Sequence, residues 1–138
     1  MCKSAMYAAN TGTQAVTSGS PVNFGMIVRH FGRNLNLAGG NVVLDGSGYY
    51  EIMVNMTFTA DTAGEVNVYL YKDGIQIPGA TASVPGTANI EYAITIPAML
   101  RNKCCRESFI TVIADADITV TNAAVSAKKI RGDSHEKD

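Results

Sequence analysis

The side chains that could carry out chemistry are few in this sequence, and their spacing matches no catalytic pattern. The two histidines are His30 and His135, and neither has a spaced Ser, Cys or Asp partner of the kind that a nucleophilic site requires. We expect His30, within IVRHFGRN, to be a hydrogen-bonded or surface histidine, and His135 to lie in a polar tail. The sequence therefore predicts a protein that is not an enzyme.

The three cysteines, Cys2, Cys104 and Cys105, do not form a metal-binding pattern. Neighbouring residues of a strand point to opposite faces, so Cys104 and Cys105 are poorly placed to bind one zinc ion, and no Cys-x-x-Cys pair is present. Reduced thiols are the expected state, and a strained vicinal disulfide is the alternative. The glycines lie in turn sequences and not in phosphate- or dinucleotide-binding loops, so we expect neither a metal nor a cofactor.

Two carboxylates stand out because they lie within alternating apolar sequences. In GSGYYEIMVNMTFTA, every second residue from Tyr50 to Phe58 is apolar, which is typical of a strand with one face in a core. The other face of this strand carries a mixed row: Tyr49, Glu51, Met53, Asn55 and Thr57. NIEYAITIP repeats the arrangement, with Ile90, Tyr92, Ile94 and Ile96 on one face and Asn89, Glu91, Ala93 and Thr95 on the other.

The elements that must position these residues are strands. No segment keeps the apolar spacing of a helix over three turns, whereas EVNVYLYKDG, SFITVIA and ITVTNAAV are alternating or rich in β-branched residues. Asp73-Gly74 lies between two alternating segments and predicts a β-hairpin with a type I′ turn. Pro78 and Pro97 are expected near strand ends or sheet edges. The pattern predicts an all-β sandwich or barrel of about eight to ten strands.

The composition predicts one domain whose surface is partly covered by a partner. Of the 138 residues, 46% are hydrophobic and only 17% are charged, against about 25% charged in an average protein. The net charge of −1 provides no basic field for nucleic acid or anionic lipid, and no run of about 20 apolar residues predicts membrane insertion. The first residues lack the apolar segment of a signal peptide, so we expect synthesis without one. We expect residues 1–130 to form the domain and residues 131–138 to form a flexible charged tail.

Three segments resemble the complement globular-head and tumour-necrosis-factor-like jelly roll. GSGYYEIMVNMTF is similar to its Gly-x-Tyr strand, with Gly48, Tyr50 and Ile52 at the positions of that pattern. VNVYLYKDGIQIPGA resembles the strand, turn and Ile-Pro-Gly segment of bacterial and phage members, and ITVTNAAVSAKKI resembles their last strand. The narrower resemblance is to the C-terminal domain of spore-surface collagen-like glycoproteins and to phage head-fibre or adhesin domains. It extends over residues 5–130 and implies a ten-stranded jelly roll that assembles as a homotrimer.

The resemblance also implies which residues contact neighbouring subunits. The strands with residues 49–58, 89–96 and 118–127 would form the sheet that faces the threefold axis. The interface residues implied in this way are Tyr49, Glu51, Met53, Asn55, Thr57, Glu91, Ala93, Thr95, Ala123 and Ala127. Carboxylates brought together at the axis would need protonation, a Lys or Arg partner, or a bridging cation, and we favour an ion pair or a solvated channel. The alternative is the solvated face of a monomer.

The function implied is that of a non-enzymatic structural or binding module. A phage or prophage virion decoration, fibre or adhesin head, with a host-surface glycan or protein as its ligand, agrees best with the resemblance. The alternative is a bacterial surface or secreted cytokine-like ligand that binds a protein receptor. Location on a virion or on a cell or spore surface is expected in either case. The RGDS sequence at residues 131–134 matches integrin ligands, but three or four residues are a weak motif, and a solvated tail explains it.

Overall fold

The computed structural model describes residues 3–103 and 107–132, and within those ranges it contains strands and no helix. The eleven strands of these ranges are β1 (Ala5–Asn10), β2 (Gln14–Val16), β3 (Met26–Phe31), β4 (Leu35–Ala38), β5 (Asn41–Asp45), β6 (Gly48–Ala60), β7 (Val66–Lys72), β8 (Ile75–Val84), β9 (Glu91–Asn102), β10 (Glu107–Ala114) and β11 (Ile118–Gly132).

The strands form two antiparallel sheets that pack face to face. The first sheet has the order β3-β1-β11-β6-β9, with the short β2 also paired to β11. The second sheet has the order β4-β5-β10-β7-β8. The chain crosses between the sheets several times, and the last strand, β11, lies between β1 and β6 in the middle of the first sheet. The architecture is a jelly-roll sandwich, which confirms the predicted fold class.

The core lies between the sheets and is filled by alternate residues of their strands. Tyr50, Ile52 and Phe58 of β6 are fully buried, and Phe24 and Leu70 meet them from other elements of the sandwich. This packing follows from the two-residue period, because each strand directs every second side chain inward. Removal of this apolar surface from water is the main term that stabilises the fold.

The turn predicted at Asp73-Gly74 is confirmed by its backbone angles. Both residues have positive φ, 52° for Asp73 and 83° for Gly74, as a type I′ turn requires. The turn joins β7 to β8, whose pairing begins with Lys72 opposite Ile75. The two prolines of the prediction, Pro78 and Pro97, lie on β8 and β9, which are the edge strands of their sheets, where a missing N–H is tolerated.

The first sheet contains the three segments that the resemblance placed together, since β6, β9 and β11 are adjacent in it. One boundary differs from the sequence prediction. β11 continues beyond Ile130, because Arg131 pairs with Tyr49 and Gly132 with Gly48. The first half of RGDS therefore belongs to a strand, and the rest of the predicted tail, with His135, lies outside the described residues.

Candidate subunit interface

The long strand β6 separates the predicted interface residues from the core. On its inner side, each apolar side chain from Tyr50 to Phe58 is at most 1% exposed. On its outer side, Tyr49 and Met53 are 37% and 42% exposed, although both are large and apolar. The strand is thus two-faced as predicted, and its outer row consists of Tyr49, Glu51, Met53, Asn55 and Thr57.

Met53 lies at the centre of a row of side chains that crosses the first sheet. It pairs with Ser126 of β11 on one side and with Pro97 of β9 on the other. Ser126 in turn pairs with Tyr7 of β1, and Tyr7 with Arg29 of β3. Because directly paired residues have neighbouring side chains on the same face, this row extends the outer surface from one edge of the sheet to the other.

The next row contains the predicted Glu51. Glu51 pairs with Lys128 of β11, and the lysine Nζ lies 3.3 Å from the glutamate Oε1. The row continues through Ala5 to Phe31 at one edge and ends at Met99 at the other. Of the fates considered for this carboxylate, the structure thus shows an ion pair with a lysine of the same chain.

On the other side of Met53, a third row contains Asn55 and Thr95, two further predicted residues. They are direct partners, and the Thr95 hydroxyl donates to the Asn55 Oδ1 at 2.7 Å. Asn55 also pairs with Ala124, and this row ends at Met26 of β3. The two polar side chains therefore hydrogen-bond to each other, in a row whose other residues are apolar.

The remaining predicted residues of β9 lie further along the same face. Ala93 pairs with Thr57, and Glu91 pairs with Thr59. The Thr121 hydroxyl lies 3.4 Å from the Glu91 Oε2, a long hydrogen bond to this exposed carboxylate. At the opposite end of the face, the guanidinium carbon of Arg101 lies 5.9 Å from the Tyr49 ring centroid, within cation–π range.

Two of the predicted interface residues, Ala123 and Ala127, instead face the core. Ala123 pairs with Met56 and Ala127 with Ile52, which both point inward. The exposed fractions of the two alanines are 0% and 3% within the single chain. The prediction that they contact a neighbouring subunit is therefore wrong.

The cause of that error is an irregularity in β11. The register with β6 shifts between Val120 and Asn122, so the two-residue alternation that starts at Ile118 does not continue through the strand. A bulge reverses the face of every later side chain. Ala124 is consequently the alanine on the outer face, where its partner is Asn55.

Several apolar residues of this face were not predicted from the sequence. Met26, Phe31 and Met99 are 74%, 60% and 64% exposed. The cross-strand row of Tyr7 lies between the row of Met26 and the row of Phe31. They belong to β1, β3 and β9, and the six residues of β3 are all exposed. The signal in the sequence is weak, because MIVRHF does not alternate.

The outer face contains a groove, which we call the face groove, with a volume of about 360 Å³. Its apolar lining includes Tyr7, Phe31 and Met53, and its charged lining includes Arg29, Glu51 and Lys128. The groove lies near the β3 edge of the first sheet. Its mixture of apolar floor and opposite charges suits contact with a protein surface.

A second apolar groove, the edge groove, lies at the opposite edge of the molecule, where β8 and β9 approach each other. Its volume is about 320 Å³, and its lining is Lys72, Ile75, Gln76, Ile77, Pro78, Met99 and Leu100. Ile75 beside the hairpin turn is 73% exposed. The molecule thus has two different apolar surfaces, one near each edge of the first sheet.

The residues considered for catalysis are not brought together. The His30 Nε2 lies 2.6 Å from the carbonyl oxygen of Leu35, and this hydrogen bond fixes the imidazole ring against the backbone of β4. Across residues 3–103 and 107–132, no group of three or more His, Cys, Asp or Glu side chains is placed to hold a metal ion.

The three cysteines, Cys2, Cys104 and Cys105, lie outside the described residues. In the same ranges, no helix is long and apolar enough to cross a membrane.

The chain shares its fold with solved structures, although no family model and no curated protein matches its sequence. Over 99% of this chain and 98% of the other, it is similar to Eiger TNF from S. frugiperda, with a TM-score of 0.70 and 13% identity. The globular domain of zebrafish complement 1qA gives a TM-score of 0.72 and 10% identity over 94% of this chain and 98% of the other. A PRD1 vertex protein gives 0.62 and 17% identity over 93% and 97%.

These similarities confirm the resemblance at the level of fold. The narrower resemblance to spore-surface glycoproteins stays a prediction. The chain has the jelly-roll fold of the tumour-necrosis-factor and complement globular-head domains.

Proposed function

We propose that the protein is a non-enzymatic module that assembles as a homotrimer through the outer face of its first sheet. The observation that supports this most directly is the exposed apolar surface of that face. Met26, Phe31, Met53 and Met99 are each more than 40% exposed, and they lie in adjoining cross-strand rows. A sheet face that exposes this many large apolar side chains is typical of an interaction site.

The arrangement of the two grooves favours a ring over a two-fold dimer. A two-fold interface uses the same surface on both subunits, whereas a ring joins two different surfaces head to tail. The face groove near β3 and the edge groove at β8 and β9 are two such surfaces, at opposite edges of the first sheet. Ring closure at three subunits is what the jelly-roll resemblance implies.

Charge on the proposed interface is compatible with burial. Glu51 and Lys128 form their ion pair within one chain, so assembly does not bring an unpaired Glu51 carboxylate into a covered surface. Thr95 and Asn55 likewise satisfy each other. The face therefore needs no bridging cation at Glu51.

We further propose that the module is a phage or prophage virion decoration, fibre or adhesin head that binds a host-surface glycan. The similarity to a phage vertex protein over 93% of this chain supports a structural role on a virion. The similarity to Eiger TNF over 99% of the chain supports the second candidate, a cytokine-like ligand for a protein receptor. Sugar binding favours the first candidate, and a receptor contact in the grooves between subunits favours the second.

The experiment that tests the assembly is the mass in solution, by light scattering on a size-exclusion column at low micromolar concentration. We expect about 44 kDa, three times the 14.6 kDa of the chain. A mass of one chain under these conditions contradicts the trimer, and a mass of two chains contradicts the head-to-tail ring.

A further inference from the structure

The outer face of the second sheet contains a small depression that shares no lining residue with either groove of the proposed interface. It has a volume of about 140 Å³ and lies beside β4, β5 and β10. Val43 lies at its floor and is 5% exposed, while its neighbours Val42 and Leu44 point into the core. Phe109 is the direct strand partner of Val43, and its ring, 43% exposed, forms a wall of the depression.

The backbone of Phe109 is held firmly although its ring is exposed. Its N–H donates to the Asp73 Oδ1 at 2.9 Å, and its carbonyl oxygen accepts from the Asp73 N–H at 2.9 Å. Pairing with β5 fixes the other side of the strand. An aromatic ring on a rigid strand offers an apolar surface to a ligand at a small cost in conformational entropy.

Polar side chains surround this apolar floor and wall. Asp45 and Glu107 are direct cross-strand partners, an arrangement of like charges that destabilises a sheet when nothing compensates it. In the part of the chain that the structure describes, neither carboxylate has a hydrogen bond or an ion pair, and the same holds for the guanidinium of Arg33. Asn36 accepts the N–H of Leu37 with its amide oxygen, which leaves its NH₂ group for a ligand.

We propose that this depression binds one neutral hexose residue of a glycan, an inference that rests on the proposed function and locates its ligand site. A sugar ring has an apolar C–H face that suits the ring of Phe109. Its hydroxyl groups can donate to Asp45 and Glu107 and accept from Arg33 and Asn36, which are all unengaged on that side.

Size and charge define the ligand more closely. Pockets for drug-sized ligands have volumes of roughly 300–1,000 Å³, so a depression of about 140 Å³ matches a single sugar ring and not an extended chain. Two carboxylates and one guanidinium give the rim a net negative charge, which disfavours sialic acid, uronic acids and phosphate. A neutral hexose is the class that agrees with both properties.

The position of the site suits a surface-binding module. The depression shares no lining residue with the face groove or the edge groove, so three copies of it would remain open on one particle. Three weak sites on a rigid particle can bind a dense glycan surface far more tightly than one site does.

The test is a titration of the ¹⁵N-labelled full chain with D-glucose, D-galactose, D-mannose and N-acetyl-D-glucosamine, followed by NMR. We expect at least one of these sugars to shift the backbone signals of Val43, Glu107 and Phe109, and N-acetylneuraminic acid to leave them unchanged. Phe109→Ala should lose at least about tenfold in affinity, because the ring provides the apolar contact. Glu107→Gln, which keeps the ring, should weaken binding as well.

The matched control is Tyr69→Ala, which removes an aromatic ring from a different part of the same sheet face. Its affinity for the sugar should equal that of the unmodified chain. The proposal is overturned if none of the four sugars shifts these signals, if the shifts lie elsewhere, or if Tyr69→Ala weakens binding as much as Phe109→Ala. A mass measurement on the same sample shows separately whether the trimer stands.

Discussion

Glu51 and Lys128 are direct partners on neighbouring strands, with the glutamate Oε1 3.3 Å from the lysine Nζ, in the middle of a row that has Phe31 at one end and Met99 at the other. Both side chains of the pair are substantially exposed in the single chain. An exposed pair of this kind contributes little to stability, about 0–1 kcal/mol. The same pair becomes consequential if a neighbouring subunit covers it.

Lys128→Met should therefore weaken the trimer strongly, by about 3 kcal/mol per interface, because it leaves the Glu51 carboxylate unpaired in a covered surface. The measurement is the concentration at which the light-scattering mass falls from three chains to one. The double variant Glu51→Gln/Lys128→Met is the control and should recover most of the loss. An effect of Lys128→Met below about 1 kcal/mol would indicate that the pair stays in water.

Met53→Glu should dissociate the trimer without affecting the core of the sandwich. Met53 is 42% exposed and points away from the buried side chains of β6, so only the proposed interface receives the new charge. We expect a mass of one chain at low micromolar concentration, together with a lower melting temperature. Met53→Leu, which keeps an apolar side chain of similar size, should retain the mass of three chains. A native mass and melting temperature for Met53→Glu would show that this face is not the interface.

Tyr50 predicts a loss of stability at alkaline pH. Burial, with the nearby Asp45 carboxylate as a second cause, raises the pKa of Tyr50 from 10.0 to about 12. Because the folded state holds the proton more tightly, its stabilising effect is complete below pH 10 and is lost as the pH rises from there through 12. The free energy of unfolding should fall by about 2–3 kcal/mol over that range.

The check on this prediction is Tyr50→Phe, measured by urea unfolding between pH 9 and pH 12. This variant loses the hydrogen bond that the Tyr50 hydroxyl donates to the Gly46 carbonyl at 2.8 Å, so it should be about 1 kcal/mol less stable at neutral pH. Its stability should fall less steeply between pH 10 and 12 than that of the unmodified chain. Equal slopes for the two proteins would mean that another group is responsible.

Gly74→Ala should destabilise the hairpin between β7 and β8. Gly74 has a φ of 83°, a conformation that costs an L-residue roughly 1 kcal/mol or more. Thermal unfolding should show the corresponding decrease in melting temperature. Asp73→Asn is the matched control, because Asn also suits the first turn position and its Oδ1 can still accept the N–H of Phe109. A decrease of the same size in the control would contradict the explanation by φ.

The sequence was sufficient for those parts of the fold that depend on local pattern. The two faces of β6 could be predicted, since Tyr50 to Phe58 alternates without interruption, and the Asp73-Gly74 turn could be predicted from its two residues. The parts that failed depend on pairing between distant segments. The bulge between Val120 and Asn122 arises from the pairing of β11 with β6, and nothing in ITVTNAAV indicates it.

The residues of the candidate interface could be predicted from the sequence to a similar extent. Eight of the ten predicted interface residues lie on the outer face, because they belong to two regularly alternating strands. The residues of β1 and β3 that complete the face, including Tyr7 and Phe31, could not be assigned to it. Their position follows from the pairing of β1 with β11, and that pairing has no local signal.

The central position of β11 also determines when the molecule can fold. The first sheet joins Ala5 to Lys128 and Met53 to Ser126, so neither β1 nor β6 has its full set of partners until the last strand has been synthesised. Contacts between such distant segments make folding slow. During synthesis, one edge of β6 is therefore expected to stay unpaired until β11 has left the ribosome. A nascent chain with an unpaired strand edge can aggregate or bind chaperones.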